Sequence, residues 1–213
     1  MRCDSIINKF LKLDSVVTAV HRATLLGVLL ILTHWAVHAD GIDVTKAPIP
    51  RNFHLEFDKS ERMLRVKTGG EVYREYVGAS GSGGNGDKSF VGDKRTPEGI
   101  YRITEFNAQS KFHFFMRLNY PNVKDAFHGL RSGVISRTEF DRIIESQKRG
   151  RPPPQNTALG GAIGIHGVGH ETDKKLRIHA NLDWTNGCIA LTNNEVSELR
   201  QFVSLGTEVV IKE

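Results

Sequence analysis

The chain has 213 residues, 39% of them hydrophobic and 25% charged, with 21 Gly, 7 Pro and 2 Cys. These proportions exclude collagen-like, disordered and disulfide-scaffold architectures, and the length suits one domain of about 150–170 residues plus an added segment. A formal charge of +5 leaves room for an acidic partner such as nucleic acid, a membrane surface or an anionic polymer.

Residues 23–39 form one mostly apolar stretch centred on Leu25 to Leu32. A basic lead-in precedes it, with Arg2, Lys9, Lys12 and Arg22 against Asp4 and Asp14. The stretch ends in Ala36-Val37-His38-Ala39, placing Val37 and Ala39 where signal peptidase reads small residues. Residues 1–39 are therefore expected to be a signal peptide, the alternative being an uncleaved N-terminal anchor. For an anchor the apolar run is short, since a bilayer span needs about 20 residues. In either case the remainder is expected to be exported, to the periplasm or cell envelope. Of the 29 basic and 24 acidic residues, cleavage removes four and two, leaving 25 against 22. It also removes Cys3, so Cys188 becomes the lone thiol of an exported protein, with no internal disulfide partner. No Lys/Arg run or aromatic-interleaved basic stripe remains, which argues against a nucleic-acid partner.

Residues 40–51, with Pro48 and Pro50, read as a linker. From there Phe53, Leu55 and Phe57 alternate with His54 and Glu56, the period of a half-buried strand. Asp58-Lys59-Ser60 is a turn, Met63, Leu64 and Val66 begin a second strand, Gly69-Gly70 turns again, and Val72 to Val77 reads as a third. Residues 78–86 are a Gly/Ser loop. Ile100 to Ile103 and Phe112 to Leu118 are further strands. Ser136, with Glu139 three residues on, is a capping box that opens a helix carrying Phe140, Ile143 and Ile144 and closed by Gly150. Arg151-Pro152-Pro153-Pro154 must be extended. Ala162 to His166 is a short buried strand. A second capping box, Thr192 with Glu195, opens a helix carrying Val196, Leu199 and Val203 and closed by Gly206, and Glu208 to Ile211 is the final strand. The expected fold is mainly β with two flanking helices, an α+β domain without the alternation of a doubly wound parallel sheet.

Gly81-Ser82-Gly83-Gly84-Asn85-Gly86 satisfies the dinucleotide fingerprint G-x-G-x-x-G in form. No helix N-terminus follows it to receive a pyrophosphate, so it reads as a surface loop. Asp93 to Gly99 is a dense turn cluster feeding a strand. The informative region runs from His166 to Leu191 and holds His166, His170, His179 and Cys188. Three readings are open. These four residues could ligate zinc, although Gly164, Gly167 and Gly169 disfavour the helix that a four-residue His spacing needs. Cys188 could be a buried structural thiol. Or Cys188 and a histidine could form a nucleophilic pair, the imidazole taking the thiol proton and Gly187 freeing backbone N–H groups for an oxyanion.

Ile165-His166-Gly167 followed by Thr185-Asn186-Gly187-Cys188-Ile189 resembles the L,D-transpeptidase catalytic signature (YkuD domain), a His-Gly and then Ser/Thr-x-Gly-Cys. Gly92-Asp93-Lys94-Arg95-Thr96-Pro97-Glu98-Gly99-Ile100-Tyr101 is similar to that family's Gly-Asp-x-x-Thr-Pro-x-Gly-x-Tyr segment. Leu118 to Asn122, Pro153 to Thr157, Leu159 to Gly161 and Asp183-Trp184-Thr185 resemble its YafK-like murein transpeptidase branch. The resemblance spans residues 52–213, the expected catalytic domain, and implies a β-sandwich-like fold with the cysteine in a cleft. It implies Cys188 as nucleophile, His166 as general base, the Gly167 carbonyl as the group orienting His166, and Gly187 as an oxyanion N–H donor. Trp184, Thr185, Asn186 and Arg177 become candidate substrate-binding residues. Two positions depart from the family pattern. The Arg or Asn common two residues after the cysteine is Ala190, with Arg177, Arg95 and Arg117 as candidate replacements, and the His of the Ser-His-Gly-Cys form is Asn186.

The implied function is that of an exported cysteine L,D-transpeptidase acting on peptidoglycan stem peptides in cell wall biogenesis and cell shape. A Cys188 thioester would pass to an amine, giving a 3→3 cross-link or an attached protein. The alternatives are a hydrolase of the same fold, cutting stem-peptide or wall–lipoprotein bonds, and an inactive wall-binding module. The expected partners are stem peptides and a wall-anchored lipoprotein, with no cofactor, metal or nucleic acid. An active thiol is expected to ionise below the free-cysteine range.

Overall fold

The computed structural model describes residues 52–213; the expected leader, Cys3 and the linker lie outside them. The described residues contain eight strands: β1 (His54–Asp58), β2 (Met63–Thr68), β3 (Glu71–Val77), β4 (Gly99–Asn107), β5 (Phe115–Leu118), β6 (Gly164–Gly167), β7 (Ile189–Leu191) and β8 (Glu208–Lys212). They form one sheet in the order β3-β2-β1-β8-β4-β5-β6-β7. The chain leaving β3 returns to the far end of that order. Ala79 and Ala190 exchange both backbone hydrogen bonds, at 2.9 and 2.8 Å, so the sheet curls almost to closure. Closure of this kind protects edge strands and encloses a core. The expected mainly β fold is thus built from a single curved sheet.

The alternation read from the sequence sets the inner face. Leu55 and Phe57 of β1, Leu64 and Val66 of β2, Met116 and Leu118 of β5, Ile165 of β6 and Ile189 of β7 are all fully buried. Residues between them on β5 face the other way, so Phe115 and Arg117 are only half-buried.

Among the described residues four helices flank the sheet where two were expected. The foreseen pair are α2 (Arg137–Lys148), capped by Ser136 with Glu139, and α4 (Asn193–Leu199), capped by Thr192 with Glu195 and continued by a 3-10 turn, Arg200–Phe202. The additional ones are α1 (Val123–Arg131) and α3 (Asp173–Asn181). Asn122 and Asp125 form a reciprocal capping box on α1, the same device written with shorter side chains. α1 buries only Asp125, Ala126 and Gly129, and α3 only His179, so neither carries a broad apolar stripe. Gly129 is where α1 approaches closely, because a Cβ there would lie 2.8 Å from Leu159 Cδ2. Residues 78–86 are irregular and no helix follows Gly86, in keeping with a loop.

Candidate active site

The outer face of the sheet at β5, β6 and β7 gathers the residues singled out above. In the β5–β6 register Phe115 faces His166 and Arg117 faces Gly164; in the parallel β6–β7 register His166 faces Ala190. Continuing that register by one residue sets Cys188 beside Gly164. Paired residues share a face, and residues two apart on a strand share it too, so Cys188 and His166 are diagonal neighbours on one side of the sheet.

His166 is 2% exposed. Its Nδ1–H donates to the Gly167 carbonyl at 2.7 Å, which fixes the tautomer and leaves the lone pair on Nε2. The ring stacks on Phe112 at 4.3 Å between centroids, lies 6.2 Å from Phe115, and meets Trp184 edge-on at 6.0 Å. Burial in this aromatic box drives its pKa down to about 4, the Gly167 carbonyl offsetting only part of the loss. His166 is therefore a neutral base throughout the physiological range.

Cys188 is half-buried as a residue, and its thiol donates to the Ala162 carbonyl at 3.4 Å. Burial pushes the thiol up to about 11, against the Gly164 N–H and the charges of Lys88 and Arg117, which favour the thiolate. The expected low thiol pKa is accordingly not found. The resting pair is a neutral thiol and a neutral imidazole, because the site excludes water from both charged forms.

The turn carrying Cys188 is held by Thr185. Its hydroxyl donates to the Cys188 carbonyl at 2.7 Å and accepts the Gly187 N–H at 3.0 Å. This corrects the role given to Gly187: its N–H is engaged within the turn and is not free for an oxyanion. What Gly187 supplies is shape. Its φ is +124°, and a Cβ there would lie 2.7 Å from the Arg95 carbonyl oxygen. The Cys188 N–H has no hydrogen-bond partner among the described residues. The glycine-rich loop packs against the same turn. Thr185 N–H donates to Ser80 O at 3.1 Å, Ser82 N–H to Thr185 O at 2.9 Å, and Gly81 N–H to the buried Thr96 hydroxyl at 2.8 Å. Asp93 pins the other wall, accepting from Lys88 at 2.6 Å and from the N–H groups of Ser89, Phe90 and Arg95. Burial raises the Asp93 pKa, but these four donors outweigh it and hold the carboxyl below its ordinary value.

Among the candidate substrate-binding residues, Trp184 edges His166 and donates from Nε1 to His179 Nδ1 at 3.3 Å, while Thr185 is buried and structural. Asn186 is exposed beside Cys188. Arg177 is exposed on α3, and its guanidinium makes no hydrogen bond or ion pair among the described residues.

Sequence reasoning missed several contributors. Phe112 and Phe115 build the box around His166, and the β5 alternation carried the signal for Phe115. Arg62 contributes from β2's entry turn, at the other end of the chain. Its guanidinium donates to the carbonyls of His179 at 2.7 Å, Ala180 at 3.0 Å and Leu182 at 3.2 Å, capping α3, and to Asp183 at 3.2 Å. Asp183 in turn accepts the Ser80 N–H at 2.7 Å, so Arg62 braces the segment leading into Trp184. No sequence signal links positions this far apart.

Two broad surface depressions, of about 550 and 860 Å3, are lined by residues around Phe202–Glu208 and around Thr138–Pro154, and neither includes Cys188 or His166. Among the described residues, no group of three or more His, Cys, Asp and Glu side chains is placed to hold a metal ion.

A family model described as the L,D-transpeptidase catalytic domain matches residues 52–211. No curated protein matches the chain. Similar solved structures include the helical cell shape determining protein Pgp2 from Campylobacter jejuni, at 24% identity over 76% of this chain and 48% of that one, TM-score 0.48. Bd1075 from Bdellovibrio bacteriovorus is similar at 22% identity over 76% and 48%, TM-score 0.46. An L,D-transpeptidase from Mycobacterium smegmatis is similar at 12% identity over 76% and 59%, TM-score 0.45. The chain spans about half the length of the first two of these proteins and under two thirds of the third.

Proposed function

The chain belongs to the L,D-transpeptidase catalytic domain family, and from that premise we propose that it is an exported cysteine acyltransferase acting on peptidoglycan stem peptides. The observation that carries this reading is the shared sheet face of Cys188 and a buried, neutral His166 whose Nδ1 is committed to the Gly167 carbonyl. The apolar stretch at 23–39, ending in Val37 and Ala39, supports export.

In this reading Cys188 attacks the carbonyl of the third, diamino-acid residue. Its thiol proton passes to His166 Nε2 as the S–C bond forms, because a thiol held near pKa 11 beside an imidazole near 4 is not ionised beforehand. The Cys188 N–H is the backbone donor available to the oxyanion. Collapse breaks the C–N bond, and His166 returns the proton to the departing D-amino acid. An amine or water then attacks the thioester, with His166 accepting the nucleophile's proton and restoring the thiol. The acyl-enzyme is common to cross-linking, protein attachment and hydrolysis; only the acceptor differs.

Mass spectrometry of muropeptides incubated with the protein tests the proposal. A new 3→3 dimer, a trimmed tripeptide or a released lipoprotein peptide each supports it and names the acceptor. Unchanged muropeptides, or turnover surviving in Cys188→Ala, contradict it.

A further inference from the structure

The position two residues after the cysteine offers a ligand nothing in this chain. Ala190 is fully buried and both of its backbone groups are tied to Ala79. Strand register instead brings a cation to the Cys188 face from β5. Arg117 faces Gly164, which lies beside Cys188, and Gly164 has no side chain of its own there. Phe115 fills that space as a flat floor: a Cβ on Gly164 would lie 2.6 Å from its Cζ, and the Arg117 guanidinium carbon sits 5.5 Å from its ring centre.

A short relay of hydrogen bonds joins the same two residues. Arg117 Nη1 donates to Gln155 Oε1 at 3.4 Å, that oxygen accepts the Ala162 N–H at 2.7 Å, and the Ala162 carbonyl accepts the thiol at 3.4 Å. The Arg117 charge is felt at the thiol, as is that of Lys88. Lys88 is not open to a ligand, being buried and bonded to Asp93 at 2.6 Å and to the Phe90 carbonyl at 2.9 Å. Arg95 directs Nε to the Gly83 carbonyl at 3.4 Å, and Arg177 is exposed on α3, its guanidinium without a polar partner among the described residues. Arg117 keeps donors in hand. Its Nε pairs with the half-exposed Glu105 at 2.8 Å, its side chain is 24% exposed, and Nη2 is unengaged among the described residues.

We propose that Arg117 is a carboxylate-binding residue of the Cys188 site, seated on Phe115 and oriented by Gln155. Which carboxylate it takes rests on the stem-peptide reading: that of the departing D-amino acid, or that on the side chain of the third residue. A guanidinium fork receives either one through paired N–H donors.

The test uses two alkylating probes of nearly equal shape, anionic iodoacetate and neutral iodoacetamide, on the full chain. Modification is read at the Cys188 peptide by mass spectrometry, because Cys3 also reacts. At low ionic strength the iodoacetate-to-iodoacetamide rate ratio is expected to fall about fivefold in Arg117→Gln and Arg117→Met, to be largely retained in Arg117→Lys, and to be unchanged in Arg137→Gln on α2. Wild-type ratio should also drop as salt is added, which needs no variant to fold. A ratio unaltered by both neutral variants and by salt overturns the assignment. With a stem tetrapeptide, its C-terminal amide and its side-chain amide as substrates, Arg117→Gln should lose the wild-type preference for whichever acid it binds. If wild type turns over none of the three, the stem-peptide reading fails while the alkylation ratio still decides Arg117.

Discussion

Replacing His166 with Gln removes an ionisation that the fold opposes. His166 is 2% exposed, and burial lowers its pKa from 6.5 to about 4. A base whose folded pKa is depressed contributes stability that is present above pH 6.5 and lost as the pH falls towards 4, because the unfolded chain takes up the proton first. With those two values the loss is about 2.5 kcal/mol at pH 4.5 and about 0.2 kcal/mol at pH 7. At pH 7 His166→Gln should be the less stable protein by about 1–2 kcal/mol, having lost the bond to the Gly167 carbonyl and the stack on Phe112. At pH 4.5 that deficit should close or reverse, since Gln cannot ionise. Asp125 titrates in the same range but is common to both proteins and cancels in the difference. Urea unfolding of parent and variant at the two pH values measures it. A deficit identical at pH 7 and pH 4.5 refutes the buried, neutral state of His166.

The alkylation rate of Cys188 by iodoacetamide should climb about tenfold per pH unit through pH 10, following a thiol near 11; an inflection below pH 8 would show a pre-ionised thiolate instead. Thr185→Val deletes both hydroxyl bonds that shape the turn and should cost about 1–3 kcal/mol in urea unfolding, with most of it restored by Thr185→Ser; an unchanged midpoint in the valine variant would count against the turn's dependence on them. Asp125 has its carboxyl raised to about 6 by burial, despite the Asn122 N–H, the neighbouring Lys124 and the Tyr101 hydroxyl. Its ionisation therefore costs stability as the pH rises from about 4 to about 6, and the thermal midpoint of Asp125→Asn relative to the parent should rise across that window; a constant difference would contradict this.

Legibility from sequence followed locality. The capping boxes at Ser136 and Thr192 announced their helices because all the information lies within four residues. The box at Asn122 and Asp125 obeys the same geometry in other letters, so α1 was readable in principle. α3 was not, since its only buried side chain is His179 and its C-terminus is capped by Arg62 from 117 residues away. At the site, the residue types and their order pointed to Cys188 and His166, but spacing could not say where backbone donors aim. The Thr185 hydroxyl takes the Gly187 N–H, which only the folded turn reveals. Choosing among Arg95, Arg117 and Arg177 likewise needed strand register, because a one-residue shift would turn Arg117 to the core face. The direction of the thiol's pKa is hidden for a related reason: the sequence shows a histidine in the vicinity but not the desolvation that pushes the thiol up.

The central claim is a covalent acyl-enzyme on Cys188. Incubating the protein with a stem tetrapeptide, quenching in acid and measuring intact mass tests it most directly. The account predicts an adduct equal to the tetrapeptide minus its terminal D-amino acid, mapped to the Cys188 peptide and absent from Cys188→Ala. Turnover without that adduct in the parent and undiminished in Cys188→Ala, or an adduct mapped to another residue, would contradict it.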